Sequence, residues 1–165
     1  MAVNVKTYAN FLQAALDADS TLSAYCNHVV NIDLKADEDI EDVIKRLMGD
    51  NRYMILITEA RIADKVPYGS NNTWIYTLNA SIYACIVHGG NFDVDNNETL
   101  PVMGSPYGGE SVEDMAADIN NLLNSNKLTS NYLELGGEII ETLSSMDMGN
   151  GMHYVELTHE GRLYV

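Results

Sequence analysis

The chain has 165 residues, 46% of them hydrophobic, and a formal net charge of -15. That length holds one domain with a real core, and that apolar content excludes a disordered chain. No apolar run is long enough to cross a bilayer, two cysteines are too few for a disulfide scaffold, and nine Lys and Arg against 24 acids argue against a phosphate-gripping surface. In chain order, Thr7 is placed to cap a first helix. Tyr8, Phe11, Leu12, Ala15 and Leu16 follow the spacing of one apolar helical face. Ser20 opens a further turn carrying Leu22 and Tyr25, and His28–Leu34 reads as a short strand. Asp37–Asp39 marks a helix start, with acids set against the positive end of the dipole. Ile40, Val43, Ile44 and Leu47 form that helix's stripe, and Gly49 is its expected stop.

Arg52–Arg61 reads as a strand, and residues 62–73, with Pro67, Gly69 and two asparagines, read as a loop. Asn72–His88 is the strongest signal in the chain. Trp74, Tyr76, Leu78, Ala80, Ile82, Ala84 and Ile86 fall at every second position, with Thr77, Asn79 and Ser81 between them. Period two is the geometry of a strand with one covered face, and this run is about three times the usual strand length. Its backbone groups need long neighbours or a second subunit. The two strands together predict a large antiparallel hairpin.

Residues 89–110, rich in Gly, Asn and Pro, read as an irregular insertion loop. Ser111 with Asp114 resembles a capping box, and Val112, Met115, Ala116, Ile119, Leu122 and Leu123 line one face of the helix that follows. Tyr132–Leu135 and Glu138–Ser144 read as strand, broken at Gly136–Gly137, and Met146–Met152 as a glycine-rich turn. His153–Thr158 is the last regular strand, with Arg162–Val165 extending it. The expected fold is a single α+β domain over residues 1–165: a mostly antiparallel sheet with long hairpin strands and helices packed on one face.

The search for chemistry returns no catalytic signature. His28, His88, His153 and His159 form no H-x-H or H-E-x-x-H pair. His153 and His159 can share a strand face, yet a metal needs further ligands, and surface or interface histidines are the plainer reading. Asp93, Asp95, Asn96, Asn97 and Glu98 crowd one loop, but from Asp93 the sixth and twelfth positions of a calcium loop are Glu98 and Ser105, which fail the pattern. There is no G-x-S-x-G, Walker loop or G-x-G-x-x-G. Neither a catalytic residue nor a cofactor or metal is expected. Cys85, among apolar strand residues, is expected to be a small buried side chain, with a Cys26–Cys85 bridge disfavoured. The opening MAVNVKTYANFLQ lacks signal-peptide features, so synthesis in a cytosol is expected. The ten tyrosines suit either core rim or interface, with Tyr76 and Tyr83 on opposite faces of the long strand.

The charge is skewed. Residues 1–65 hold eleven acids and seven bases, a net of -4, while residues 66–165 hold thirteen acids with only Lys127 and Arg162, a net of -11. Solubility accounts for this, and so does a surface along which DNA slides without sticking.

The order of segments resembles that of the bacteriophage tail terminator (tail-completion, neck ring) family, small α/β proteins with an N-terminal helix, a long hairpin, a helix across the sheet and a closing strand pair. The matching stretches are Tyr8–Leu16, Tyr53–Glu59, Trp74–His88, Ser111–Leu123 and Glu138–Leu157; the helix at Ile40–Leu47 and the 89–110 loop have no counterpart in that pattern. The resemblance implies a structural virion protein assembled in a host cytoplasm. Copies would form a homo-oligomeric ring, typically a hexamer, that caps the tail-tube protein and docks a head-side connector protein. DNA would pass through without specific binding. Glu134, Glu138, Glu141, Glu156 and Glu160 are candidates to line the channel. Three alternatives stay open: another neck or tail-tube component such as a head-tail stopper, a small-ligand-binding α+β domain or enzyme with a pocket under the 89–110 loop, and an adaptor whose sheet edge pairs with a partner strand.

Overall fold

A computed structural model of the chain describes residues 4–70, 72–87, 112–123, 129–130, 133–134, 140–141, 146–147 and 152–164. Among these are helices α1 (Val5–Ala18), α2 (Ser20–Ser23), α3 (Ile40–Met48) and α4 (Val112–Leu123). The strands are β1 (Val29–Asn31), β2 (Tyr53–Tyr68), β3 (Thr73–Val87), β4 (Thr129–Ser130), β5 (Leu133–Glu134), β6 (Ile140–Glu141), β7 (Met146–Asp147) and β8 (Met152–Tyr164). They form one sheet ordered β1-β2-β3-β8-β5-β4, with β6 and β7 also pairing to β8. Every pairing among the described residues is antiparallel except β1 with β2. The architecture is α+β, as expected, and the alternating run at 74–86 is the central strand of the sheet.

Alternation along β3 sorts the interior into two layers. Leu78, Ala80, Ile82, Ala84 and Ile86 join Ile55, Ile57, Val155 and Leu157 on a first face, under Leu12, Leu16, Leu22, Met115 and Ile119 of α1, α2 and α4. Tyr83 and Cys85 join Met54, Leu56 and Tyr154 on the second face, under Val43, Ile44 and Met48 of α3. The expectation of helices on one face therefore holds for α1, α2 and α4, while α3 covers the other. Both faces of this part of the sheet are buried, which is why Met54–Ile57 and Ile82–Ile86 read as unbroken apolar runs.

Polar contacts tie the layers to the sheet. The Tyr25 hydroxyl donates to Asp118 Oδ2 at 2.7 Å, joining the segment after α2 to α4, and Gln13 Nε2 donates to the Val29 carbonyl at 3.0 Å. His28 Nε2 lies 2.9 Å from the Leu47 carbonyl, linking the start of β1 to the end of α3. The expected Thr7 cap is corrected: α1 begins earlier, with the Asn4 side chain accepting from the Lys6 and Thr7 amides at 2.9 and 3.4 Å. Asparagine is at least as good a cap as threonine, and starting there adds nearly a turn of helix. For α3 the cap is Asp39, which accepts from the Glu41 amide at 2.8 Å, and Gly49 follows the last turn with φ 53°, a value that favours glycine. Asp39→Ala should cost about 1 kcal/mol in a urea titration, without changing the steepness of the transition.

His153 and His159 do share the first face, but they are buried rather than at the surface. The Tyr8 hydroxyl and His159 Nδ1 share a 2.6 Å hydrogen bond between fully buried groups. Cys26 and Cys85 are free thiols, both buried, on opposite faces. Burial pushes both thiols above their ordinary value. Thiol reagent should label them in step with unfolding, and fast labelling of the native protein would contradict their burial.

The largest departure from the sequence reading is at residues 62–73. Most of that stretch is strand: β2 runs on to Tyr68, and only Gly69–Asn72 separate it from Thr73. The region expected as a glycine-rich turn likewise contains β7, paired with β8 at Tyr154 and His153. The 89–110 loop, Ser111 and Gly136–Gly137 lie outside the described residues.

Candidate assembly interface

The hairpin β2–β3 outruns the helices that cover its base. Tyr53–Thr58 are buried on both faces, whereas every residue from Arg61 to Tyr68 is exposed. This outer part of β2 spans eight residues, or roughly 26 Å at strand rise. The change coincides with two register shifts, between Thr58 and Arg61 and between Ile62 and Asp64. Each inserts one residue into β2, bends it and increases its local twist. Glu59 sits at the first of them with φ 55°, a left-handed conformation costly for a non-glycine residue, and its carboxylate accepts from the Ser81 hydroxyl at 3.2 Å.

The register assigns the outer side chains to faces. Ile62, Lys65 and Pro67 pair with Leu78, Tyr76 and Trp74 and continue the first face. Lys65 Nζ lies 4.2 Å from the Trp74 ring centroid and 5.4 Å from that of Tyr76, a cation held against two aromatic rings. Asp64, Val66 and Tyr68 pair with Thr77, Ile75 and Thr73 and continue the second face. Ile62, Val66 and Tyr68 are the exposed large hydrophobics of the described residues, at 42%, 42% and 56%. None of them belongs to either core cluster. Ile62 and Val66 sit on opposite faces, so the outer hairpin presents apolar surface both ways. Pro67 fits an edge strand, where a missing amide breaks no ladder.

Beyond α3, the second face carries charge of both signs, Arg61 and Arg162 sharing it with Glu156 and Glu160. Glu156 and Glu160 are half-buried on β8, in register with Tyr83 and Asn79. Glu134 pairs with Arg162, a position of the same parity on β8, whereas Glu141 pairs with Leu157, of the opposite parity. Glu156 and Glu160 thus share the second face, Glu134 and Glu141 are placed only by their register with β8, and Glu138 lies outside the described residues. Missing from the sequence reading of this face was Glu59, which the bulge sets beside Ser81 of β3.

Burial, then the carboxylates of Glu156 and Glu59, push the Tyr83 phenol well above its ordinary value. Burial and then Glu160 do the same to Tyr8. A raised folded pKa keeps the proton longer in the folded state than in the unfolded one. Stability from these neutral phenols is complete below about pH 10, the ordinary tyrosine value, and is lost as pH rises through the folded values. Two of the ten tyrosines should ionise only as the protein unfolds in alkali, read as tyrosinate absorbance against circular dichroism. Ionisation of all ten with the fold intact would contradict this.

Among the described residues no group of three His, Cys, Asp or Glu stands close enough to hold a metal, and no helix is long and apolar enough to cross a membrane. No protein-family model matches the chain, and no curated protein matches it.

Proposed function

We propose that this chain is a structural virion protein of the phage tail terminator type, whose copies join into a ring that caps the tail tube and receives the head-side connector. The observation that carries the reading is the outer part of β2: a strand with apolar side chains exposed on both faces and, among the described residues, no strand paired to its outer side beyond β1. Exposed apolar strands are a liability in a solitary protein and an asset in one that assembles through them. In a head-to-tail ring, each hairpin would reach over the neighbouring subunit. Glu156 and Glu160 would stand in the wall past which DNA slides. The test is direct imaging of purified tail tubes incubated with the protein. A ring at one tube end supports the proposal. A protein that stays monomeric and leaves tube ends bare, with or without a head-side partner, sinks it.

A further inference from the structure

On the first face of the outer hairpin, Ile62, Lys65, Trp74 and Tyr76 lie together and belong to neither core cluster. Ile62 and Lys65 are exposed, and Trp74 and Tyr76 are half-buried. The two rings hold the Lys65 ammonium in place without neutralising it, since Lys65 forms no ion pair among the described residues. Its neighbour Asp64 faces the other way. Lys6, in the first turn of α1, is also exposed and outside any ion pair among the described residues. Together with Ile62 it lines a groove of about 540 Å³, where Asp33 is the one acid. This end of a strongly acidic chain therefore sets positive charge beside exposed apolar surface.

The complementary charge is concentrated on the other face. Asp37–Asp42 holds five acids in six residues and no base. Glu38 is bonded to Arg46 and Asp39 caps α3, but Asp37 and Asp42 are exposed and in no ion pair among the described residues. Helix α3 crosses the second face. Its end meets His28, beside β1, through the Leu47 carbonyl. Its start lies toward β8, where burial and then Glu41 push the Tyr154 phenol up. The basic surface and the acidic one thus lie on opposite faces of the sheet, and one copy cannot join its own pair.

We infer that the first face of the outer hairpin docks on the start of α3 of a second copy, with Lys6 and Lys65 set against Asp37 and Asp42; the inference deepens the ring reading above and rests on it. Two different patches in contact make a head-to-tail joint, the kind from which rings are built. Ile62, Trp74 and Tyr76 would supply the buried apolar area, and the charge match would fix the orientation.

The experiment is sedimentation of the full chain over a concentration series at low salt, for the parent, K6E/K65E, D37K/D42K and an equal mixture of the two variants. Where the parent associates only at tube ends, the same four samples are compared there by imaging. Each variant alone should associate about tenfold more weakly than the parent, since reversing two exposed charge contacts amounts to roughly that factor. The mixture should recover parental association, because each reversed patch then meets its reversed complement. All four positions are exposed, so the melting temperatures should stay within a few degrees of the parent. Parental association by either variant, or a mixture no better than its parts, overturns the docking and leaves the ring reading standing. Association that obeys the charge pattern but never closes into a ring at tube ends upholds the docking and removes the ring. A parent that stays monomeric at every concentration and leaves tube ends bare overturns both.

Discussion

Ile82→Ala should lower the free energy of unfolding by about 2–5 kcal/mol. Ile82 is fully buried at the middle of β3, in register with Ile57 on one side and Leu157 on the other, both also fully buried. The helices α1 and α4 close over it through Leu12, Leu16, Met115 and Ile119. Three strands and two helices meet at that side chain, so the space left by truncation has little freedom to collapse. A urea titration reads the loss as a lower midpoint with unchanged slope. The companion change, Leu56→Ala, probes the other layer. Leu56 is fully buried against Val43, Ile44 and Met48 of α3, and its truncation should cost within the same range. A loss under about 1 kcal/mol there, beside a large loss at Ile82, would mean that α3 does not seal the second face.

That second layer shows what the sequence reveals and what it hides. The stripe of α3 and its start around Asp37–Asp39 were legible, because periodicity and helix-start signals are local. Which face α3 covers was not, since an apolar stripe states that a helix needs a partner and not where that partner lies. A signal was nonetheless present: Tyr83 and Cys85 fill the gaps in the alternation of β3, and Met54–Ile57 has no polar residue at all. Unbroken apolar runs mark strands covered on both sides. The outer part of β2 failed to read as strand for the converse reason. Arg61–Tyr68 has no buried face, so no period of two is imposed on it, and Pro67 and Gly69 then dominate the reading. The two bulges, by adding a residue each, also break whatever alternation is left.

The candidate interface was therefore the least legible part of the chain. The long strand is evident from Trp74 onward, but the pattern of its partner fades at Arg61, and Ile62, Val66 and Tyr68 stand among loop-forming residues in the sequence although they are exposed strand in the fold. Four of the five candidate acids divide once topology is known. Glu156 and Glu160 belong to a strand at the heart of the sheet, whereas Glu134 and Glu141 belong to short strands on its far side. Sequence spacing treats them as one population because all five lie in the acidic C-terminal part; the sheet order separates strands that are close in sequence.

On the ring reading proposed above, Ile62→Glu and Val66→Glu, made separately, should weaken self-association while leaving the isolated fold intact. Each side chain is 42% exposed and outside both core clusters, so each substitution should move unfolding by no more than about 0.5 kcal/mol. In an assembly the same positions would be desolvated, and a carboxylate without a partner there costs about 3 kcal/mol or more, weakening association at least about a hundredfold. Sedimentation over a concentration series measures it. Because Ile62 and Val66 lie on opposite faces of the hairpin, the two variants also report which face the neighbour covers: equal losses mean that the hairpin is gripped from both sides, and a loss at one position alone names the docked face. Added negative charge on a chain already at -15 could weaken association by repulsion alone. Val66→Lys separates the two causes. It reduces the net negative charge and so eases any general repulsion, yet it places the same unpaired charge in the same contact. Disruption by both Glu and Lys locates the joint at Val66. Disruption by Glu with normal association of the Lys variant would mean that the hairpin stays in solvent and that the copies meet elsewhere.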